Sequence, residues 1–169
     1  MQNTEKVIDL PHIKGKVKVN DRFLHSEALK GFFSRPDIKH ALEDNNFEHM
    51  YKEWANTRYI KAALTEILLA AGIDVLEYLT EIPSHTFFGC GFLTSITIPD
   101  SITKIGRYAF ICCDSLTSIT IPGSVMKIEG NIFGNCPNLK TIYCEAKEKP
   151  VGWDKDWNQN CEAKVIWGA

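Results

Sequence analysis

At 169 residues the chain is long enough for one ordinary domain or two small ones sharing a core. Hydrophobic residues make up 44% and charged residues 24%, the balance of a folded globular chain and not of a disordered one. The net charge of -2, with neither half strongly of one sign, disfavours nucleic-acid binding through a broad basic face, which needs Lys and Arg to neutralise phosphates.

In chain order, Met1 to Ile8 shows no basic stretch followed by an apolar run, so no secretory signal is expected. The best apolar run, Ile67-Leu68-Leu69-Ala70-Ala71, is far too short to cross a bilayer, so no membrane partner is expected. Both features point to a cytoplasm, where the six cysteines stay reduced. Lys14 to Val19 alternates lysine with small or apolar residues and reads either as an extended edge strand with outward lysines or as a solvated arm.

Helical spacing then takes over. Short segments around Leu29, Phe32 and Phe33, and around Ile38, Ala41 and Leu42, precede two clearer amphipathic stripes. The first of these holds Phe47, Met50, Tyr51 and Trp54; the second holds Tyr59, Ile60, Ala63, Leu64, Ile67 and Leu68. Ser34 followed three residues later by Asp37 predicts a side-chain cap for the helix at Pro36. Gly72 stands where a glycine ends the last helix. Residues 1–72 are therefore read as a helical cap region, whose apolar stripes are expected to pack on a first repeat coil, and residues 73–169 as a repeat solenoid.

The repeat rests on one offset. Phe-x-x-Cys units recur 23 residues apart at Phe87 with Cys90, Phe110 with Cys113, and Phe133 with Cys136. The same step joins Ile82, Ile105 and Ile128; Leu79, Ile102 and Val125; and Leu93, Leu116 and Leu139. Ile-x-Ile recurs as Ile96 with Ile98 and Ile119 with Ile121, then more weakly as Ile73 with Val75, Ile142 with Cys144, and Val165 with Trp167. Alternation in these strands points the isoleucines inward and the residue between them outward. Pro99 and Pro122 end their strands, since proline has no N–H for a ladder. One Phe per coil fills the interior, and the repeat cysteine serves as a small buried group near a tight corner.

Leu93 to Phe110 resembles the BspA-type leucine-rich repeat, and Leu116 to Cys136 resembles a second full copy. The resemblance covers residues 73–144 well and the tail loosely. It implies an α+β chain: a short right-handed parallel solenoid of about four to five strands behind a helical cap. It implies protein binding, with no catalytic residues, cofactor or small-molecule substrate. Leu76 departs from the pattern by replacing proline, as do Pro83 and Glu129 by replacing the glycine after isoleucine. Short proteins of this kind resemble products of bacteria and their phages, which implies an inhibitor of a host defence protein (anti-CRISPR-like) as a specialisation.

The segment Lys149 to Trp157 breaks the pattern, yet Val165 and Trp167 return in register, which predicts a degenerate last coil with Trp153, Trp157 and Trp167 over its open end. No catalytic or metal constellation is present in the spacing of the five histidines and six cysteines, and no phosphate-binding loop is found. The expected function is non-catalytic: an intracellular module that occupies or blocks another protein, the alternative being a structural or adhesive component of a virion or cell surface. The outward strand positions Asp74, Ser95, Thr97, Ser118, Thr120, Thr141, Tyr143 and Ile166 are the first candidates. Five strands would present only roughly 400 Å². An interface takes about 800 Å² from each partner, so tight binding must also recruit the helical half, Lys104, Arg107 and Lys127 on the opposite wall, or the loop of Trp153 and Trp157.

Overall fold

A computed structural model describes residues 5–8, 17–20, 26–53, 64–69, 71–91 and 93–169. The chain divides into two compact units, Met1–Tyr78 and Leu79–Ala169.

In the first unit, β1 (Glu5–Ile8) and β2 (Val17–Asn20) pair antiparallel, Glu5 opposite Asn20 and Ile8 opposite Val17. The extended reading of this region therefore holds from Val17 onward; Lys14 to Lys16 lie outside the described residues. Helices α1 (Ser26–Phe33), α2 (Pro36–Glu43) and α3 (Phe47–Glu53) follow, and residues 64–69 are helical. The apolar stripes put Phe33, Ile38, Phe47, Met50, Leu64 and Ile67 in the core, and Trp54, Tyr59, Ile60 and Ala63 lie outside the described residues. Gly72, at φ +80°, closes the helical stretch in the left-handed conformation that glycine adopts without a Cβ penalty.

The expected serine cap of α2 is absent. Arg35 occupies the cap position and gives no side-chain cap, while Ser34 donates its hydroxyl to Lys30 C=O (2.7 Å) at the end of α1. Pro36 explains why the cap is dispensable: it sits at the helix start, where its missing N–H has no intrahelical acceptor to lose. Asp37 is free for other partners. Its carboxylate takes two N–H bonds from the Arg35 guanidinium, at 3.0 and 2.6 Å, and lies 3.0 Å from His49 Nε2. The Arg35 hydrogen bonds, with His49 second, pull the Asp37 carboxyl down to about 2.

The strand expected at Ile73 and Val75 is also replaced, by a 3₁₀ turn at Val75–Tyr78. Asp74 Oδ1 accepts the Leu76 N–H at 3.1 Å, so a short acidic side chain bends the backbone into a turn. Leu76, where later coils carry proline, is buried and supplies a backbone N–H for that bond.

The second unit holds β3 (Glu81–Ile82), β4 (Lys104–Ile105), β5 (Ser118–Ile121), β6 (Lys127–Ile128), β7 (Thr141–Cys144) and β8 (Lys164–Trp167). They form two parallel sheets, ordered β3-β4-β6 and β5-β7-β8. Partners follow the sequence period: Ile82, Ile105 and Ile128 align in one sheet, Ile119, Ile142 and Val165 in the other. The result is a parallel β-solenoid of about four turns. Phe87, Phe110 and Phe133 stack down its interior with ring centroids 4.9 and 5.5 Å apart and planes within 4° and 23° of parallel. Each ring covers the next because each coil delivers it at the same step, and all three are fully buried.

The last coil keeps this plan with a change of spacing. Ile128 bridges to Trp153 and Ile132 N–H bonds Trp157 C=O, both 25 residues on, whereas Ile142 aligns with Val165 at 23. Two extra residues enter after β7 and are recovered before β8. Trp157 meets Phe133 edge-on at 6.4 Å, and Trp153, Trp157 and Trp167 cluster at 4.9 to 6.2 Å. The buried Trp153 indole N–H is satisfied by Val125 C=O at 2.9 Å.

The tight corner before each repeat cysteine is a left-handed residue. Gly89, Cys112, Asn135 and Asn160 have φ of +67°, +59°, +56° and +56°, and the N–H of each of the first three bonds the next coil. Cys113 and Cys136 follow two of these corners, and their thiols donate to Phe87 C=O (3.2 Å) and Phe110 C=O (3.1 Å).

Candidate protein-interaction face

The outward side of β5-β7-β8 carries two rows. Ser118, Thr141 and Lys164 align in one row, and Thr120, Tyr143 and Ile166 in the other. Between them Ile119 and Ile142 are buried, so alternation fixes which side chains reach out. Ser118, Thr120 and Tyr143 are exposed, while Thr141 and Ile166 are half-buried. Tyr143 has no ring or hydrogen-bond partner among the described residues.

Residues 93–99 belong to this side but do not join its ladder. Ser95 and Thr97 are exposed as expected, yet among the described residues no backbone hydrogen bond links residues 95–99 to β5, and the link between the two coils there runs from Thr117 N–H to Thr94 C=O at 3.4 Å. Hydrogen-bonded strands on the face thus number three among the described residues. At about 4.8 Å spacing and four residues each they present roughly 200 Å², half the extent expected from sequence.

An open pocket of about 360 Å³ occupies the place where the ladder is missing. Ile96, Thr97, Ile98, Pro99 and Asp100 form one side, and Thr120, Pro122 and Glu145 the other. Glu145 stands one repeat after Pro122, in the slot where the two preceding coils carry proline, and its Oε2 accepts the Gly123 N–H at 2.8 Å. Neither Asp100 nor Glu145 has a salt-bridge partner among the described residues. The departure at Glu145 was visible in the repeat; Asp100 and the row position of Lys164 carried no separate sequence signal.

The other candidates sit elsewhere. Asp74 is exposed but immediately precedes the 3₁₀ turn of the first unit and is not in a strand. Lys104 on β4 is bound between Glu129 (3.1 Å) and Glu81 (3.8 Å). The Glu129 hydrogen bond holds the Lys104 ammonium above its usual pKa against the opposing effect of burial. Burial pulls the Glu129 carboxyl up, but bonds from Lys104 and the Arg107 backbone N–H (3.1 Å) outweigh it and leave the group below its ordinary value. Lys127 is exposed, and the Arg107 guanidinium lies 5.8 Å from the Tyr108 ring. Trp153 and Trp157 are buried, so their place in the candidate set is corrected: they close the core and offer no side chain to a partner.

Cys90, Cys113, Cys136 and Cys144 are buried core groups, while Cys112 and Cys161 are half-buried. Burial pushes Cys144 up to about 12, and Cys113 is raised by the adjacent Cys136 thiol and by burial, which keeps both protonated and unreactive at neutral pH. Cys161 is a further rung after Cys136, missed in sequence because it falls at 25 residues instead of 23. No group of three metal-ligating side chains is present among the described residues.

A profile of the BspA type leucine-rich repeat region matches residues 64–154 with six copies, just over half of the chain. The chain belongs to this family. BspA-type repeats, like leucine-rich repeats in general, mediate protein–protein interaction and are typically non-catalytic scaffolds. No curated protein and no solved structure matches the chain. Among the described residues no helix is long and apolar enough to cross a membrane.

Proposed function

We propose that the chain is a non-catalytic protein-binding module that acts by occupying or blocking its partner, with the β5-β7-β8 face as the anchor. The observation that carries this reading is the row Thr120, Tyr143 and Ile166. An exposed tyrosine without an internal partner stands at its centre, flanked by a small hydroxyl and a half-buried isoleucine. Tyrosine contributes disproportionately at interfaces because it brings a large amphipathic ring at low entropic cost. A face of roughly 200 Å² is a quarter of what one partner gives to a standard interface, so the complex also draws on neighbouring surface, for which the exposed Ser95 and Thr97 beside β5 are available.

The reading places the protein in a reducing cytoplasm, where the buried thiols keep their packing role. A narrower version, inhibition of a host defence protein by a phage or mobile-element product, rests on the resemblance to short capped repeat proteins alone. Affinity capture from lysate of the native host, followed by mass spectrometry, tests the proposal. One specific protein is expected, with Tyr143→Ala weakening its Kd about tenfold and Lys127→Ala changing it little. Recovery of no specific protein at any salt concentration would overturn it.

A further inference from the structure

We infer that the pocket between residues 96–100 and Thr120, Pro122 and Glu145 receives a basic side chain, arginine or lysine, from the bound protein; the inference rests on the protein-binding reading above. Three observations converge on it. The pocket opens beside Thr97 and Thr120, so it is continuous with the outward face. Its volume of about 360 Å³ lies at the small end of ligand pockets, near the lower bound of about 300 Å³, and suits one long side chain rather than a cofactor. Its lining divides by chemistry: Ile96, Ile98, Pro99 and Pro122 offer apolar walls, while Asp100 and Glu145 offer carboxylates.

That division matches the anatomy of a long cationic side chain, whose methylene stem packs on apolar surface while the charged head seeks an acceptor. The Glu145 carboxylate is fixed through one oxygen by Gly123 N–H and keeps the other for a ligand, and the Asp100 carboxylate has no protein partner among the described residues. Among the described residues no lysine or arginine lines the pocket, so its negative charge is not neutralised by them. The contrast with the other wall supports the assignment, because there Glu81 and Glu129 are already matched by Lys104. A neutral or acidic side chain would leave the two carboxylates unmatched or repelled.

The test is an NMR titration of the full chain with the peptide acetyl-Gly-Arg-Gly-amide, with its neutral citrulline isostere as control. Saturable shifts are expected at the amides of Thr97, Asp100, Thr120 and Glu145. They should weaken about tenfold or more with citrulline and in the double variant Asp100→Asn with Glu145→Gln. The glutamine retains an oxygen for Gly123 N–H, so the fold of the loop is preserved in that variant. Absence of saturable shifts at these amides, or equal binding of the citrulline peptide, would overturn the assignment. Failure of the pocket and failure of the protein-binding reading are separable. A captured partner that binds the double variant with unchanged Kd overturns the pocket alone; saturable arginine binding with no captured protein overturns the broader reading and supports the pocket chemistry.

Discussion

The same seven residues, Leu-Thr-Ser-Ile-Thr-Ile-Pro, occur at 93–99 and at 116–122, and they fold differently. The second copy contains the laddered strand β5, while the first is extended without a ladder. Burial follows the same order. Leu116, Ile119 and Ile121 are 0%, 2% and 1% exposed, against 7% for Leu93, half-burial for Ile96 and 6% for Ile98. Intrinsic propensity is identical in the two copies, so it cannot be what separates them. β5 has β7 in register beside it, with four aligned residue pairs, and that neighbour supplies the backbone partners the first copy lacks. The loss of regularity creates the pocket, which makes the less ordered copy the chemically more distinctive one.

The comparison can be broken or sharpened by mutation. The largest effect is expected from Phe110→Ala, since Phe110 stacks between two rings in the coil that joins the copies; urea unfolding should show a loss of about 3–5 kcal/mol. Next, Ile119→Ala should cost about 2–5 kcal/mol and Ile96→Ala less than about 1.5 kcal/mol. Hydrogen exchange should likewise find the amides of β5 better protected than those of residues 95–98. Equal costs and equal protection would mean that the two copies are equally packed.

Between the copies lies Cys112, a non-glycine residue in a left-handed corner where the preceding coil has Gly89. Cys112→Gly should raise stability by about 0.5–1 kcal/mol, the relief of the Cβ clash less the added freedom of the unfolded chain. A drop in the urea midpoint would show that the Cys112 side chain contributes more than its backbone strain costs.

The smallest effect is expected outside the comparison, at Asp37. Its carboxyl sits at about 2 in the fold against an ordinary 3.8, because Arg35 and His49 favour the ionised form. The depressed value means that its stabilisation is fully present above the unfolded pKa and is lost as pH falls from about 4 toward 2. Thermal melts of Asp37→Asn should therefore converge on the wild type at the acid end of that window, with the difference between the two repeat copies unchanged. A constant gap across the window would remove the ion-pair account.

Much of this molecule was legible in its period. The 23-residue step placed Ile82, Ile105 and Ile128 opposite one another and put Phe87, Phe110 and Phe133 in one stack, because equal coils return equal side chains to equal positions. The candidates Thr120, Tyr143 and Ile166 followed from alternation and fell in one row. Other features resisted for stated reasons. Ser34 was displaced as a cap by Pro36, and Asp74 drew the first expected strand into a turn through one local hydrogen bond. Trp153 and Trp157 cover the coil end as expected, and that same burial removes them from the candidate partner-binding set, while the shift to 25 residues hid Cys161 from a search at fixed step.

Sequence alone therefore determined the repeat, the inward set of isoleucines and phenylalanines, and the family, all of which depend on spacing along the chain. Only the tertiary structure decided which of two identical heptapeptides became a strand and that Asp100 and Glu145, 45 positions apart, line one pocket. The physical reason is the same in both cases. A strand is completed by hydrogen bonds to a neighbour, and a binding pocket by side chains from different coils, and neither partner is encoded in the local residues themselves.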